Sequence, residues 1–281
     1  MENTKALFQR SSHICWIESA NQARPHHTQS EDFILSDTTM GLFGVFDSVG
    51  GRDHGRFVSH LAGKTIAAAW RALSSEQREA LPCIEEELQT MIHTADKAIA
   101  SLEIPPEEKR PATTAALVVL SLQQDQVYAT TAHIGDSRIY LLRSEALQRL
   151  TEDNGYFPFA VRRGIITKEA SRQIEQAERA SDLSPEEQAH FARRHQITCA
   201  VGWSDFPRIQ TRSLALVPGD TLVVCTDGVH DNLTDHEIAT VLHQSDENKA
   251  QRLVSAAYQR SQQMHFRAKP DDITAIVVSY S

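Results

Sequence analysis

Apolar positions along the chain follow two rhythms. Short, nearly continuous apolar runs recur at 14–17, 32–35, 41–46, 115–122, 127–134, 137–143, 147–151, 208–216, 221–226 and 273–279. Runs of that length, bounded by Gly, Asp, Ser and Pro, predict β-strands. Two long stretches carry a 3.6-residue rhythm instead. One is 56–73, with Phe57, Leu61, Ile66 and Ala69 on one side. The other is 75–102, striped by Ile84, Leu88, Met91, Ile92, Ala95, Ile99 and Leu102 behind an acidic first turn. Both predict amphipathic helices whose stripes are core contacts. Further helices are predicted at 167–180, 185–195, from the Thr234-x-x-Glu237 capping box to about 243, and at 246–265. Segments 21–31 and 103–110 read as loops.

The resulting order is strands, two helices, strands, a Glu/Gln/Arg-rich insertion, strands, two helices and a last strand. No βαβ alternation and no internal repeat appear, and short turns separate neighbouring strands. The class is therefore α+β, with mainly antiparallel sheets and helices outside them. One domain over 1–281 is expected, with a flap or insertion at about 155–200. That insertion reads equally as a mobile lid and as an inert surface pair of helices.

Composition narrows the setting. The 281 residues are 41% hydrophobic and 23% charged, with net charge −9 from 28 basic and 37 acidic residues. An acidic chain without a basic stripe argues against a nucleic-acid partner and disfavours a nuclease. Cys15, Cys83, Cys199 and Cys225 form no CxxC pair and read as thiols of a reducing compartment. The start lacks a signal-peptide apolar run, and no stretch of about 18 apolar residues would cross a membrane. A soluble, cytoplasmic protein is expected.

The chemistry lies where strands begin and end. Leu42–Phe46 is an apolar run that delivers Asp47 into a glycine turn, and the pattern recurs before Asp227 and, reversed, after Asp271. An aspartate in such a turn is common, so one example is weak. Asp32, Asp47, Asp227 and Asp271 all sit at strand ends or starts, and stacked sheets can bring such ends together. Gathered carboxylates repel unless a cation lies among them. All-oxygen donors suit Mg²⁺ or Mn²⁺, whereas zinc would want His and Cys at ligand spacing. Two such ions about 3.5–4 Å apart can activate a water for in-line attack on phosphorus.

An ordered series of short boxes then carries a resemblance. Ser30-Glu31-Asp32, Asp47-Ser48-x-Gly50-Gly51, Thr113-Thr114-Ala115, Gly135-Asp136-Ser137-Arg138, Leu150-Thr151-x-Asp153, Pro218-Gly219-Asp220 with Cys225-Thr226-Asp227-Gly228, and Asp271-Asp272-Ile273-Thr274 follow one another along nearly the whole chain. The series resembles the metal-dependent protein phosphatases of the PPM (type 2C) family, in their bacterial form. The resemblance implies a four-layer α-β-β-α sandwich, two stacked antiparallel sheets flanked by helix pairs, which agrees with the element order. It implies a phosphoserine/phosphothreonine phosphatase with two Mn²⁺ or Mg²⁺ ions and a metal-bridging hydroxide as nucleophile. Asp47 would bridge the ions, Asp227 and Asp271 would bind one, and the Ser48 carbonyl the other. Asp32 and Glu31 would act through water, and Asp136 would hold a third, weaker ion. The implied partners are a phosphoprotein substrate and a cognate serine/threonine kinase.

Four departures from the family pattern set an alternative beside this reading. His27 stands where the family has a phosphate-clamping arginine; an imidazole lacks the guanidinium fork, and Arg24 is close enough to substitute. Ser48 replaces a glycine, which costs energy if φ is positive. Val49 replaces a histidine found in some eukaryotic members. Asp272 replaces an asparagine and adds charge beside the ions. Asp136 has a second reading as a turn cap paired with Arg138, and His54 and His230 lie near the boxes. The alternative is a catalytically impaired regulatory or binding module with the same fold.

Overall fold

The computed structural model describes residues 1–50, 54–105, 110–203, 209–244 and 247–281. A hairpin of β1 (Glu2–Arg10) and β2 (His13–Gln22) opens the chain, followed by β3 (Phe33–Asp37), β4 (Leu42–Phe46) and the short β5 (Ser48–Val49). Helices α1 (Gly55–Ala72), α2 (Ser75–Glu79) and α3 (Leu81–Ala100) come next. Then come β6 (Ala112–Thr113), β7 (Ala115–Gln123), β8 (Gln126–Ile134), β9 (Arg138–Arg143) and β10 (Ala146–Arg149). The insertion holds α4 (Tyr156–Arg162), α5 (Lys168–Glu175) and α6 (Pro185–Phe191). The chain closes with β11 (Gln210–Ala215), β12 (Thr221–Cys225), α7 (Asp227–His230), α8 (Asp235–His243), α9 (Lys249–Ser261) and β13 (Ile273–Tyr280).

Besides the short β5, β6 and α7, three elements depart from the pattern-based expectation. Strand β1 was invisible to periodicity because it is a sheet edge: Phe8 is its one buried side chain, so no inward face alternates. The expected helix 75–102 is broken at Ala80, which is extended, with Pro82 in the first turn of α3. Ser74 and Gln77 form a capping box that starts α2 separately. Helix α4 was missed because its aromatic residues fit no single-face stripe; Tyr156 and Phe157 are both buried in the insertion's own core.

Strands pair in two antiparallel sheets, β1-β2-β13-β12-β9-β10 and β11-β8-β7-β4-β3, with β5-β6 as a small ribbon. Phe43, Val45, Val118 and Leu120 of the second sheet meet Ile17, Leu222, Val224 and Ile276 of the first in a central apolar layer. A second layer packs α1 and α3 on the outer face of the five-stranded sheet through Val58, Ile66, Trp70, Leu88, Ile92 and Leu117. A third packs α8 and α9 on the six-stranded sheet through Ile238, Leu253, Val254, Tyr140, Val223 and Val277. Three apolar layers between four structural ones give the α-β-β-α sandwich.

Register decides where the strand ends go. Phe33 pairs with Phe46, Val45 with Ala116, and Ala115 with Ile134. In the other sheet Cys225 pairs with Ala275 and with Arg138, and Ile273 with Gln22. The start of β3, the ends of β4 and β8, the end of β12 and the start of β13 therefore share one end of the sandwich. There the chain crosses from one sheet to the other three times, between β2 and β3, between β8 and β9, and, through the insertion, between β10 and β11.

Candidate active site

That shared end carries Asp32, Asp47, Asp136, Asp227 and Asp271. The β8–β9 crossing is a tight turn at Gly135, whose φ is 105°, and a Cβ there would sit 2.6 Å from the Thr114 side chain. The missing side chain is what lets Asp136 lie against the end of β12. Gly228 plays a similar part after β12: a Cβ would stand 2.1 Å from the Asp272 carbonyl oxygen. Helical turn α7 thus packs directly on the start of β13, and Asp227 and Asp271 become neighbours.

Threonines fix two of these aspartates, one by its backbone and one by its carboxylate. The Asp47 backbone is held from both sides: its N–H donates to Thr114 Oγ1 at 2.9 Å, and its carbonyl accepts from Thr114 N and from Thr113 Oγ1. Asp32 Oδ2 accepts from Thr226 Oγ1 at 3.0 Å and Thr274 Oγ1 at 2.7 Å. Asp32 lies at the entry to one sheet and the two threonines lie on the other, so these bonds tie the sheets together.

The electrostatics are those of a cluster short of positive charge. Burial, then the charges of Asp32, Asp227, Asp271 and Asp136, hold the Asp47 carboxyl well above the ordinary carboxylate range. Burial, then Asp272, does the same for Asp32; burial, then Asp227 and Asp153, for Asp136. Asp32 Oδ1 and Asp227 Oδ1 are buried without a hydrogen-bond partner. A buried carboxylate oxygen left bare is costly unless a cation meets it.

One cation is built in. Lys269 Nζ donates to Asp227 Oδ2 and lies 2.9 Å from Asp231 Oδ2 and 3.0 Å from Asp271 Oδ2. The Asp231 contact is an ion pair at that distance. Burial opposes the lysine's charge, yet the three carboxylates outweigh it and raise its pKa well above the ordinary value. Burial likewise pushes the Asp231 carboxyl up, but Lys269 and then Arg194, at 3.4 Å, outweigh it and hold it below the usual range. Among the described residues no three acidic, histidine or cysteine side chains are already drawn together as an ion cage; the tightest gathering is around this ammonium.

A cleft of about 220 Å³ opens over the cluster, lined by Arg24, Glu31, Asp47, Ser48, Gly50, Asp271 and Asp272. Arg24 Nη2 lies 3.3 Å from Glu31 Oε1. His27 lines a neighbouring groove, together with Ser30, Asp32, Phe33 and His60. Ser48 Oγ donates to Glu31 Oε2, and the positive φ that would strain it falls on Gly50 instead, at 81°. Asp272 is 4% exposed and accepts from the N–H groups of Arg24 and Glu31, both at 2.7 Å, so its carboxylate secures the loop between β2 and β3. Arg138 turns away from Asp136 toward Asp153 and Glu175. His230 is buried, with Nε2 3.0 Å from the Asp136 carbonyl oxygen, and burial lowers its pKa to about 4. His54 precedes α1 as its N-cap residue. Sequence reasoning overlooked Lys269 and Asp231. Their signals were faint: a lysine two places before Asp271, and an acid four places after Asp227 on one helical turn.

Carboxylates gathered at the end of a two-sheet α+β sandwich, with a guanidinium at the rim, are the kind of donor set that suits divalent cations and phosphate esters. The family model described as Protein phosphatase 2C matches residues 28–265, and the chain belongs to that family. It is 26% identical over 222 residues to the serine/threonine phosphatase stp of Listeria monocytogenes serotype 4b (strain F2365), covering 77% of this chain and 78% of that protein. It is 26% identical over 229 residues to the protein phosphatase PhpP of Streptococcus pneumoniae serotype 2 (strain D39 / NCTC 7466), covering 82% and 83%. The fold matches the S. agalactiae serine/threonine phosphatase with a TM-score of 0.74 at 24% identity, over 94% of this chain and 99% of that one. It also matches the catalytic domain of PstP crystallised with two manganese ions, with a TM-score of 0.71 at 20% identity, over 96% and 99%.

Proposed function

We propose that this chain is a metal-dependent protein serine/threonine phosphatase that hydrolyses phosphate monoesters. The observation that carries the reading is the meeting of Asp47 from one sheet and Asp271 from the other beside Arg24 in one cleft, next to the buried carboxylates of Asp32, Asp136 and Asp227. The donor set is all oxygen, and two of its buried oxygens lack a partner, so the residues suit Mn²⁺ or Mg²⁺. Asp47, Asp227 and Asp271, with Asp32, Asp136 and the Ser48 carbonyl, are the residues that would hold ions. When bound, the ions supply Lewis acidity at phosphorus and an activated water.

The chain's own residues do the rest. Arg24 faces the cleft and offers a forked donor to phosphate oxygens, while His27 stands in the adjoining groove as the secondary donor. Asp272 and Glu31 hold the Arg24 loop in place. The phosphatase domain extends over 1–281 with a flap at about 155–200; β2 near one end of the chain pairs with β13 at the other, which supports one body. A cognate serine/threonine kinase and a cytoplasmic setting complete the reading, the latter supported by four unpaired cysteines. No helix among the described residues is long and apolar enough to cross a membrane.

A catalytically impaired module is the weaker reading. Ser48 keeps an unstrained backbone and Asp272 spends its charge on backbone N–H groups, so neither substitution disturbs the cleft. The test is phosphopeptide hydrolysis by the metal-stripped chain with Mn²⁺ or with EDTA. Turnover is expected in Mn²⁺ alone, with Asp47→Asn lowering kcat by on the order of 10²–10³-fold or more. Equal rates in both buffers, or an Asp47→Asn chain as fast as the parent, would refute it.

A further inference from the structure

Lys269 is an unusual residue for its place. Its ammonium is bonded to Asp227 and lies within 3.0 Å of Asp271 and 2.9 Å of Asp231, with the side chain 20% exposed. Two of those carboxylates are residues assigned above to hold divalent ions. The oxygens facing the ammonium are Asp227 Oδ2 and Asp271 Oδ2; Asp271 Oδ1 accepts the Asp272 N–H at 2.9 Å, and Asp227 Oδ1 is bare. Elsewhere in the cluster, Asp32 Oδ1 is buried without a hydrogen-bond partner among the described residues, and the Asp47 carboxyl is pushed up by burial and by the charges of Asp32, Asp227, Asp271 and Asp136. The cluster thus has one side neutralised by the chain itself and one side in need of an external cation.

A divalent ion sharing Asp227 Oδ2 and Asp271 Oδ2 would stand at contact distance from an ammonium, and two cations so close repel strongly in a desolvated site. One position admits one of them. The lysine is covalently tethered two residues from Asp271, so its effective concentration there is that of an intramolecular partner.

We propose that Lys269 is a resident cation of the active site, its ammonium taking one position in the Asp227–Asp231–Asp271 corner that a divalent ion would otherwise fill. The inference rests on the phosphatase reading for the roles of Asp227 and Asp271. The chain then carries one divalent ion fewer than the same chain with a neutral residue at 269, and its acidic corner is held together without metal.

Three measurements test it. Equilibrium dialysis with elemental analysis should find one more Mn²⁺ per chain at saturation in Lys269→Ala than in the parent. Melting in EDTA should drop for Lys269→Ala and recover with Mn²⁺, the recovery exceeding the shift Mn²⁺ gives the parent. Reductive methylation of the parent, read by mass spectrometry, should leave Lys269 protected both in EDTA and in saturating Mn²⁺; this arm needs no variant to fold. Equal Mn²⁺ capacity in the two chains, or a Lys269 that becomes labelled as Mn²⁺ is added, overturns the proposal. A parent that binds Mn²⁺ while Lys269→Ala binds no more leaves the phosphatase reading standing. A parent that binds none while Lys269→Ala gains an ion upholds the lysine's role and counts against metal dependence. Silence in both chains removes both ideas.

Discussion

Arg24 and His27 stand three positions apart on one loop, yet they line different clefts. The backbone between them turns because Asp272 captures the Arg24 and Glu31 N–H groups and the His27 N–H donates to the Arg24 carbonyl. His27, at the motif position, lines the adjoining groove, while among the described residues Arg24, from outside the motif, lines the cleft with Asp47 and Asp271. Charge-assisted hydrogen bonds contribute about 1.5–3 kcal/mol, roughly 10- to 100-fold in KM. Steady-state kinetics with a phosphopeptide should show that loss for Arg24→Ala and a change under about threefold for His27→Ala. The reverse ranking would return the clamp to position 27. Arg24 was visible in the chain as a candidate, but the choice between it and His27 required the loop's hydrogen bonds.

The insertion is built as an anchored element. Helices α4, α5 and α6 share an apolar core of Tyr156, Phe157, Ile174, Leu183 and Phe191, and Phe191 stacks on Phe266 with centroids 4.2 Å apart. Arg138 of β9 grips Asp153 at 2.6 Å and Glu175 of α5 at 2.8 Å, and Arg267 donates to the carbonyls of Glu175, Ala177 and His230. A lid free to open would have to break this buried network, which favours the fixed surface element over the mobile lid of the two readings of the insertion. Burial alone would raise the Asp153 carboxyl, but Arg138 and then Arg149 outweigh it and hold it well below the usual range. A carboxyl depressed in the fold adds stability above its unfolded value of about 4 and loses it as pH falls below that. Asp153→Asn should cost about 3–5 kcal/mol by leaving Arg138 short of its partner. Thermal melts should show that deficit at pH 7 and a narrowing gap between variant and parent on acidification below about pH 4. A gap that stays constant with pH would show that the carboxylate's charge is not what holds the flap.

The sandwich as a unit accepts a strained end. Its three apolar layers hold the two sheets face to face, and the register of each sheet drives Asp32, Asp47, Asp136 and Asp227 to the same rim, where burial and mutual repulsion raise their pKa values. An ion that binds only the folded chain relieves this, by about 2.7 kcal/mol at a hundredfold excess over Kd. For a domain of this size that amounts to roughly 5–10 °C in Tm. Mn²⁺ should raise the melting temperature of the parent by about that much, and Asp47→Asn should keep little of the shift. Equal Mn²⁺ shifts in both chains would place the stabilising ion elsewhere.

Local pattern was enough for much of this. Leu42–Phe46 reads as a buried strand and Thr234-x-x-Glu237 as a helix start because the cause of each lies within a few residues. Element order was enough for antiparallel sheets with helices outside, and the chain of short boxes named the aspartates. Pattern failed where causes lie far away in sequence. Edge strand β1 is defined by its partner β2, Asp272 by the loop it captures, and Asp231 and Lys269 by carboxylates that approach only when β12 and β13 pair. Charge compensation is a property of distance in space. One chain can show every acid at the rim, yet which of them meets a lysine, and which is left facing the cleft, depends on the packing of two sheets and on a glycine, Gly228, that lets α7 lie against the start of β13.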